Sequence, residues 1–286
     1  MDNNAPLNIP ALLQQFNLRP SKSLGQNFLV DEKALQKITR IAEISPEDIV
    51  LEIGPGFGSL TRHLARLAHQ VVAVELDNRL SPALQQVLIP YSNVRIVVGD
   101  ILSQDINELI QSPTYLVVAN IPYYITSLLI RHLLEAKSRP KRLVLTVQAE
   151  VAERIYAGPG NMSLLALSVQ VYGQPSIQAH LPAGAFYPAP KVDSAVVRVD
   201  IHDTPKIPTA QIDTFFQLAK AGFSQKRKMI KNALAAGMQW TPAVCASLLE
   251  AAGIDPRRRA ETLVLSEWAQ LVIVVLQSLR KDKFST

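Results

Sequence analysis

From Asp31 to Ile201 short runs rich in Val, Ile and Leu alternate with longer amphipathic stretches. The runs at Asp48–Ile53, Gln70–Glu75, Val94–Val98, Tyr115–Ala119 and Arg142–Val147 read as strands. The stretches Asp31–Ile44, Gly58–Ala68, Arg79–Leu88 and Thr126–Ala136 carry helical periodicity. Strands separated by helices pair in parallel through right-handed crossovers, so the chain is constrained to a doubly wound α/β sheet. Ala149–Tyr156 and Leu164–Val171 read as two more helices, and Ile177–His180 and Asp193–Ile201 as two closing strands. The polar, Pro-bearing stretch His202–Thr209 reads as a linker. Beyond it only helices are expected, at about 211–221, 226–236, 242–252 and 263–280. The predicted organisation is a catalytic α/β domain over 1–201, a linker over 202–209 and a small all-α domain over 210–286.

Composition narrows the function classes. The longest apolar candidate for a membrane span, Trp268–Leu279, falls short of the roughly 18 residues required and runs into Arg280-Lys-Asp-Lys283, so no membrane role is expected. The N-terminus has no signal-peptide pattern, and a cytoplasmic location is expected. The single cysteine, Cys245, excludes a disulfide framework and a cysteine-based metal cluster. The five histidines show no ligand spacing, so no metal is expected. A net charge of +5 and a pI of about 9.3 point to a polyanionic partner.

The strand ending at Ile53 opens directly into Gly54-Pro-Gly56-Phe-Gly58 and then a helix. Glycines there permit a tight turn and close backbone approach to a ligand. A dinucleotide site spaces its glycines G-x-G-x-x-G, and position 59 is Ser. The G-x-G-x-G spacing preceded by Glu52 suits S-adenosylmethionine, which has no pyrophosphate to cradle. Glu75 closes the next strand, where an acid accepts both ribose hydroxyls. Asp100, after the following strand, is placed to accept from an adenine amino group. Asp77 is a nearby alternative ribose contact, expected rather to be solvated.

Asn120-Ile-Pro-Tyr123 follows the fourth strand. Its chemistry suits methylation of an exocyclic amine on a nucleobase, whose lone pair is delocalised into the ring. The Asn120 side-chain oxygen and the Pro122 carbonyl are candidates to hold the two N–H bonds, and Tyr123 offers a stacking face. Lys226, Arg227, Lys228 and Lys231 crowd one predicted helix, and Arg257, Arg258 and Arg259 follow Asp255-Pro256 at a turn. Such clusters track phosphates. Arg139, Lys141 and Arg142 form a third basic group.

These segments, together with Lys22-Ser-Leu-Gly-Gln-Asn-Phe-Leu29, Phe186-Tyr-Pro-Ala-Pro-Lys-Val-Asp193 and Phe223-Ser-Gln-Lys-Arg-Lys228, occur in the order found in the ribosomal RNA adenine N6,N6-dimethyltransferases. From Arg19 to about Leu271 the chain closely resembles that family, in its bacterial small-subunit branch. The resemblance implies a Rossmann-like S-adenosylmethionine-dependent methyltransferase sheet with a small C-terminal all-α domain. It implies that Gln26, Asn27, Leu29, Gly54, Gly56, Glu75, Asp100, Ile101 and Asn120 hold the cofactor. It assigns the target base to Asn120, Pro122, Tyr123 and Phe186, the last stacking on its far face, although as a residue alone Phe186 reads as a core aromatic. It further implies dimethylation of two adjacent adenosines near the 3′ end of small-subunit (16S) RNA, in the assembling 30S subunit. A monomer is expected. The rival readings are a large-subunit dimethyltransferase conferring macrolide resistance, and an RNA-binding assembly factor.

Overall fold

The computed structural model describes residues 5–122 and 125–283. The described chain forms two compact units. The first runs to Ala152 and resumes at Gln174–Ile201, and the second holds Glu153–Gly173 and the residues from His202 onward.

The first unit is built on strands β1 (Phe28–Leu29), β2 (Ile49–Ile53), β3 (Gln70–Glu75), β4 (Val94–Val98), β5 (Leu116–Asn120), β6 (Arg142–Gln148), β7 (Gly173–Leu181), β8 (Phe186–Tyr187) and β9 (Ser194–Ile201). Its helices are α1 (Ile9–Gln15), α2 (Glu32–Ala42), α3 (Ser59–Ala65), α4 (Ser81–Leu88), α5 (Ile106–Ile110) and α6 (Thr126–Glu135). Seven strands make one sheet in the order β4-β3-β2-β5-β6-β9-β7. Neighbours from β4 to β6 are parallel, as the alternating pattern requires. β9 departs from that pattern and runs antiparallel to β6, from Arg142 opposite Asp200 to Gln148 opposite Ser194. No crossover helix lies between β7 and β9, and a helix is what a parallel return needs. Val50, Leu51, Val71, Val72, Val117 and Val118 are fully buried, because the sheet is covered on both faces.

Successive strands step outward in opposite directions from β2 and β5, so a crevice opens beyond their carboxyl ends. A second, two-stranded ribbon pairs β1 with β8, bringing together segments far apart in sequence. Helix α1, which periodicity did not reveal, packs Ile9 and Leu13 against Phe28 and Phe57.

The second unit contains α8 (Leu164–Gln170), α9 (Ile212–Phe223), α10 (Ile230–Met238), α11 (Pro242–Ala251) and α12 (Leu265–Lys283), and α7 (Ala149–Tyr156) runs into it from the first. Residues 153–173 were expected in the α/β domain and instead pack with the C-terminal helices. The stretch read as a linker is also part of this unit. The His202 N–H donates to the Tyr172 carbonyl at 2.8 Å, that of Lys206 to Val171 at 2.8 Å, and Ile207 is fully buried. A polar, Pro-rich composition marks a break in secondary structure but does not tell a tether from a packed loop. Trp268 is fully buried against Gly222, and Gly237 lies so close to Ala221 that an added Cβ would stand 2.5 Å from the Ala221 Cβ. Among the described residues no helix is long and apolar enough to cross a membrane.

Candidate active site

A cleft open to solvent lies at the crevice beside β2 and β5. Its walls include Gln26, Asn27 and Phe28, Gly54 and Gly56, Glu75, Asp100 and Ile101, and Asn120 and Pro122. Four strand ends and one segment ahead of the sheet thus meet at one place.

Gly54 and Gly56 both have positive φ, +72° and +60°. A Cβ on Gly56 would stand 2.9 Å from the Phe28 ring, so the turn is closed to larger residues by strain and by contact. Phe28 packs edge-on to Phe57, with ring centroids 4.9 Å apart. Glu75 is buried, its Oε2 accepting from the Gly56 N–H at 3.0 Å and its Oε1 from the Asp77 N–H at 2.8 Å. Burial raises its pKa above the ordinary carboxylate value, and those backbone donors oppose the rise. Asp100 is exposed, and its Oδ1 caps the turn at Ile101–Ser103 by accepting from the Leu102 N–H at 2.9 Å.

The Asn120 Nδ2 donates to the Asn27 carbonyl at 3.0 Å. That bond commits the amide's donor end to the protein and leaves Oδ1 as its acceptor for the cleft. The Pro122 carbonyl accepts from the Ile125 N–H at 3.2 Å and keeps its second lone pair. Tyr123, expected as the stacking face, lies outside the described residues.

Two expected site residues have buried side chains, and one expected placement, that of Asp77, is corrected. Leu29 and Phe186 face each other across the ribbon, and their residues are 3% and 4% exposed, with side chains in the main core cluster. Side chains alternate along a strand, so when Phe28 faces the cleft Leu29 faces the core, and a motif does not reveal that phase. Asp77 is not solvated. It is 6% exposed, clamped by Arg79 Nε at 2.8 Å and Nη2 at 2.6 Å and by Gln26 Nε2 at 2.8 Å. Arg79 holds its pKa below the usual range. Phe28 was missed as a cleft residue because it is positioned by pairing with a strand distant in sequence.

Glu52 sits under the glycine turn, 2% exposed, with the Thr61 hydroxyl beside its carboxyl. Burial, aided by the nearby Glu75 charge, pushes its pKa from 4.5 up to about 8. The folded state therefore keeps a proton that the unfolded chain releases from pH 4.5 upward. Stability from this group is full below pH 4.5 and is lost as pH rises towards about 8, by roughly 1 kcal/mol per pH unit. Glu52→Gln, which does not titrate, is expected to melt progressively higher than wild type between pH 5 and pH 8, by ~5 °C or more at the upper end. Parallel melting curves across that range check it.

The basic residues are placed differently from expectation. Lys226, Arg227 and Lys228 lie in an exposed turn between α9 and α10, not in a helix, because α9 ends at Phe223 and Met229 is the extended N-cap of α10. Only Lys231, half-buried, is helical. The Ile230 N–H donates to the Arg258 carbonyl at 2.7 Å and that of Lys231 to Pro256 at 3.4 Å, so the two clusters join into one surface. Arg257 is exposed beside Asp255. Arg258 turns inward, its Nη1 and Nη2 on the Glu267 carboxylate and its Nη2 also on the Thr262 carbonyl at 2.6 Å, so its guanidinium supports the turn. Arg142 is likewise engaged, with Glu43 and Asp200.

A sheet of this topology, with a glycine turn lacking the dinucleotide spacing and a buried ribose-type acid, defines a Rossmann-like S-adenosylmethionine-dependent methyltransferase. The family model for ribosomal RNA adenine dimethylase matches residues 17–274, and the chain belongs to that family. It is 46% identical to the ribosomal RNA small subunit methyltransferase A of Dehalococcoides mccartyi (strain CBDB1), over 92% of this chain and 90% of that one. Identity to the protein of the same name from Moorella thermoacetica is 44%, over 91% and 94%. Among solved structures, a dimethyladenosine transferase from Plasmodium falciparum superposes with a TM-score of 0.75 at 26% identity, over 87% of this chain and 98% of that one. The 23S rRNA methyltransferase ErmE superposes with a TM-score of 0.70 at 28% identity, over 88% and 100%.

Proposed function

We propose that the protein transfers methyl groups from S-adenosylmethionine to N6 of two adjacent adenosines in a loop near the 3′ end of small-subunit (16S) ribosomal RNA, during assembly of the 30S subunit in the cytoplasm, acting as a monomer. The observation that carries this reading is the Asn120 amide, bound by its nitrogen to Asn27 and left with a free acceptor at the end of β5. Names borne by relatives at 40–46% identity support the small-subunit substrate.

The cofactor, when bound, supplies an electrophilic methyl on a sulfonium sulfur. Gly54 and Gly56, on the cleft wall, would admit it to close backbone range, and the carboxylates of Glu75 and Asp100 would accept from its ribose hydroxyls and its adenine amino group. The target adenine reaches the cleft unstacked, which an RNA loop makes inexpensive. Asn120 Oδ1 and the Pro122 carbonyl accept the two N–H bonds of N6 and draw its lone pair out of conjugation, aimed along the line of transfer. After transfer the nitrogen loses a proton to water. One N–H then remains, and Asn120 Oδ1 holds it for the second transfer.

Lys226, Arg227, Lys228, Lys231 and Arg257 track the RNA phosphates. Their concentration at the N-terminus of α10, where the helix dipole is already positive, is unfavourable unless an anion is bound. Replacing Lys226, Arg227 and Lys228 together with alanine is expected to weaken RNA binding about tenfold or more and to reduce the salt-dependence slope by about 2, with cofactor affinity unchanged. Filter binding over a salt series measures both.

The deciding experiment supplies labelled S-adenosylmethionine to unmethylated small subunits, large-subunit RNA and DNA in parallel, then identifies the labelled nucleoside. Dimethyladenosine from small subunits alone is the expected result. Label confined to large-subunit RNA would place the chain with the resistance enzymes, and tight RNA binding without label would make it an assembly factor.

A further inference from the structure

Residues 21–28 run between the two ends of the cleft, and three successive side chains or carbonyls grip different parts of it. The Gln26 Nε2 donates to Asp77 Oδ2 at 2.8 Å, the Asn27 carbonyl accepts from Asn120 Nδ2 at 3.0 Å, and Phe28 closes over Gly56. Asp77 is tied onward by its own N–H to Glu75 Oε1, and Glu75 Oε2 to the Gly56 N–H. Hydrogen bonds on either side of the covalent Gln26–Asn27 linkage therefore connect the acid at the end of β3 to the amide at the end of β5.

We infer that Gln26 is a positioning residue for methyl transfer, holding the Asn27 carbonyl where it orients the Asn120 amide, rather than a ligand of the cofactor. Its Oε1 accepts from the Ser21 N–H at 2.7 Å and its Nε2 is bound to Asp77, so both ends of its side chain serve the protein. Asp77 is itself immobilised by Arg79, which makes it a fixed anchor. When the bond from Gln26 to Asp77 is lost, the strap loses its tie to the end of β3, and the Asn27 carbonyl is less firmly placed against Asn120. The Asn120 amide then loses the partner that distinguishes its two ends. A flipped amide presents N–H to the adenine amine, donor against donor, and a displacement of about 1 Å at a reacting group lowers rates about a hundredfold. The inference rests on the reading of Asn120 as the acceptor of the adenine amine.

Two variants test it in the full-length protein. Gln26→Glu keeps an acceptor for the Ser21 N–H and removes the donor to Asp77; Gln26→Met keeps the length and removes both. Single-turnover methylation of small subunits is measured at saturating S-adenosylmethionine, with cofactor affinity by calorimetry and folding by thermal melting. Both variants are expected to slow transfer by about 10- to 100-fold, with cofactor Kd within about threefold of wild type. A folded Gln26→Glu with the wild-type rate overturns the inference. So does a cofactor Kd weakened tenfold or more with the rate restored at saturation, since that marks Gln26 as a cofactor ligand. Asn120→Ala is run alongside. If it transfers methyl at the wild-type rate, the reading of Asn120 fails; if it is inactive while the Gln26 variants are fully active, only the inference fails.

Discussion

Alanine at Asn120 is expected to lower the single-turnover rate of methyl transfer by about a hundredfold to a thousandfold, the range seen when one preorganised hydrogen-bonding group is removed from a reacting centre. Cofactor affinity is expected to fall by no more than about tenfold, because the cofactor's ribose and adenine are assigned to Glu75 and Asp100, on β3 and beyond β4. Rapid-quench assays at saturating cofactor separate the two effects. Asn120→Asp is the sharper variant. It keeps an acceptor for the adenine amine but sets a carboxylate oxygen against the Asn27 carbonyl, where the native amide nitrogen donates at 3.0 Å. Two acceptors repel there, so the aspartate is expected to be slow although it is isosteric. An aspartate with the wild-type rate would show that the bond to Asn27 does not set the amide's orientation.

Glu75→Ala is expected to have the largest effect on cofactor binding, weakening Kd by about a hundredfold or more. Each hydroxyl bonded to a charged acceptor contributes about 1.5–3 kcal/mol, and two ribose hydroxyls are involved. The same change removes the acceptor for the Gly56 and Asp77 N–H groups and so loosens the glycine turn. RNA affinity, assigned to the helical unit, is expected to stay within about twofold. Calorimetric titration with S-adenosylmethionine measures the first quantity and filter binding the second. A pH series adds a direction. The ionised carboxylate is the form that accepts, and burial raises its pKa, so cofactor affinity falls as pH drops through that raised value, with loss beginning at higher pH than for an exposed glutamate. Glu75→Gln does not show that acid loss.

The strands and the order of the motifs were legible because apolar period and glycine spacing are local properties. Gln70–Glu75 and Val94–Val98 have the predicted bounds, and the acids at strand ends lie on one crevice because parallel strands bring their carboxyl ends to one edge. The burial of the Leu29 side chain was not legible because a two-residue strand carries too few positions to show which alternate face is buried. The Lys226–Lys228 turn was misread as helix because Gln, Lys and Arg are good helix formers, and propensity does not register where α9 must stop to let α10 fold back.

By itself the sequence determined the doubly wound class, the glycine turn, the acids at the strand ends and the Asn-Ile-Pro motif, since each depends on residues close together in the chain. Tertiary structure alone decided which atoms of those residues are free. Asn120 offers its oxygen because Asn27 takes its nitrogen, and Asp77 is an anchor because Gln26 and Arg79 reach it. Arg258 is spent on Glu267 while Arg227 stays exposed, and two basic turns become one surface through the bond from Ile230 to Arg258. The physical reason is that hydrogen bonding is exclusive and directional. A polar group's chemistry is set by the partner that folding brings to it, and most of those partners lie tens of residues away.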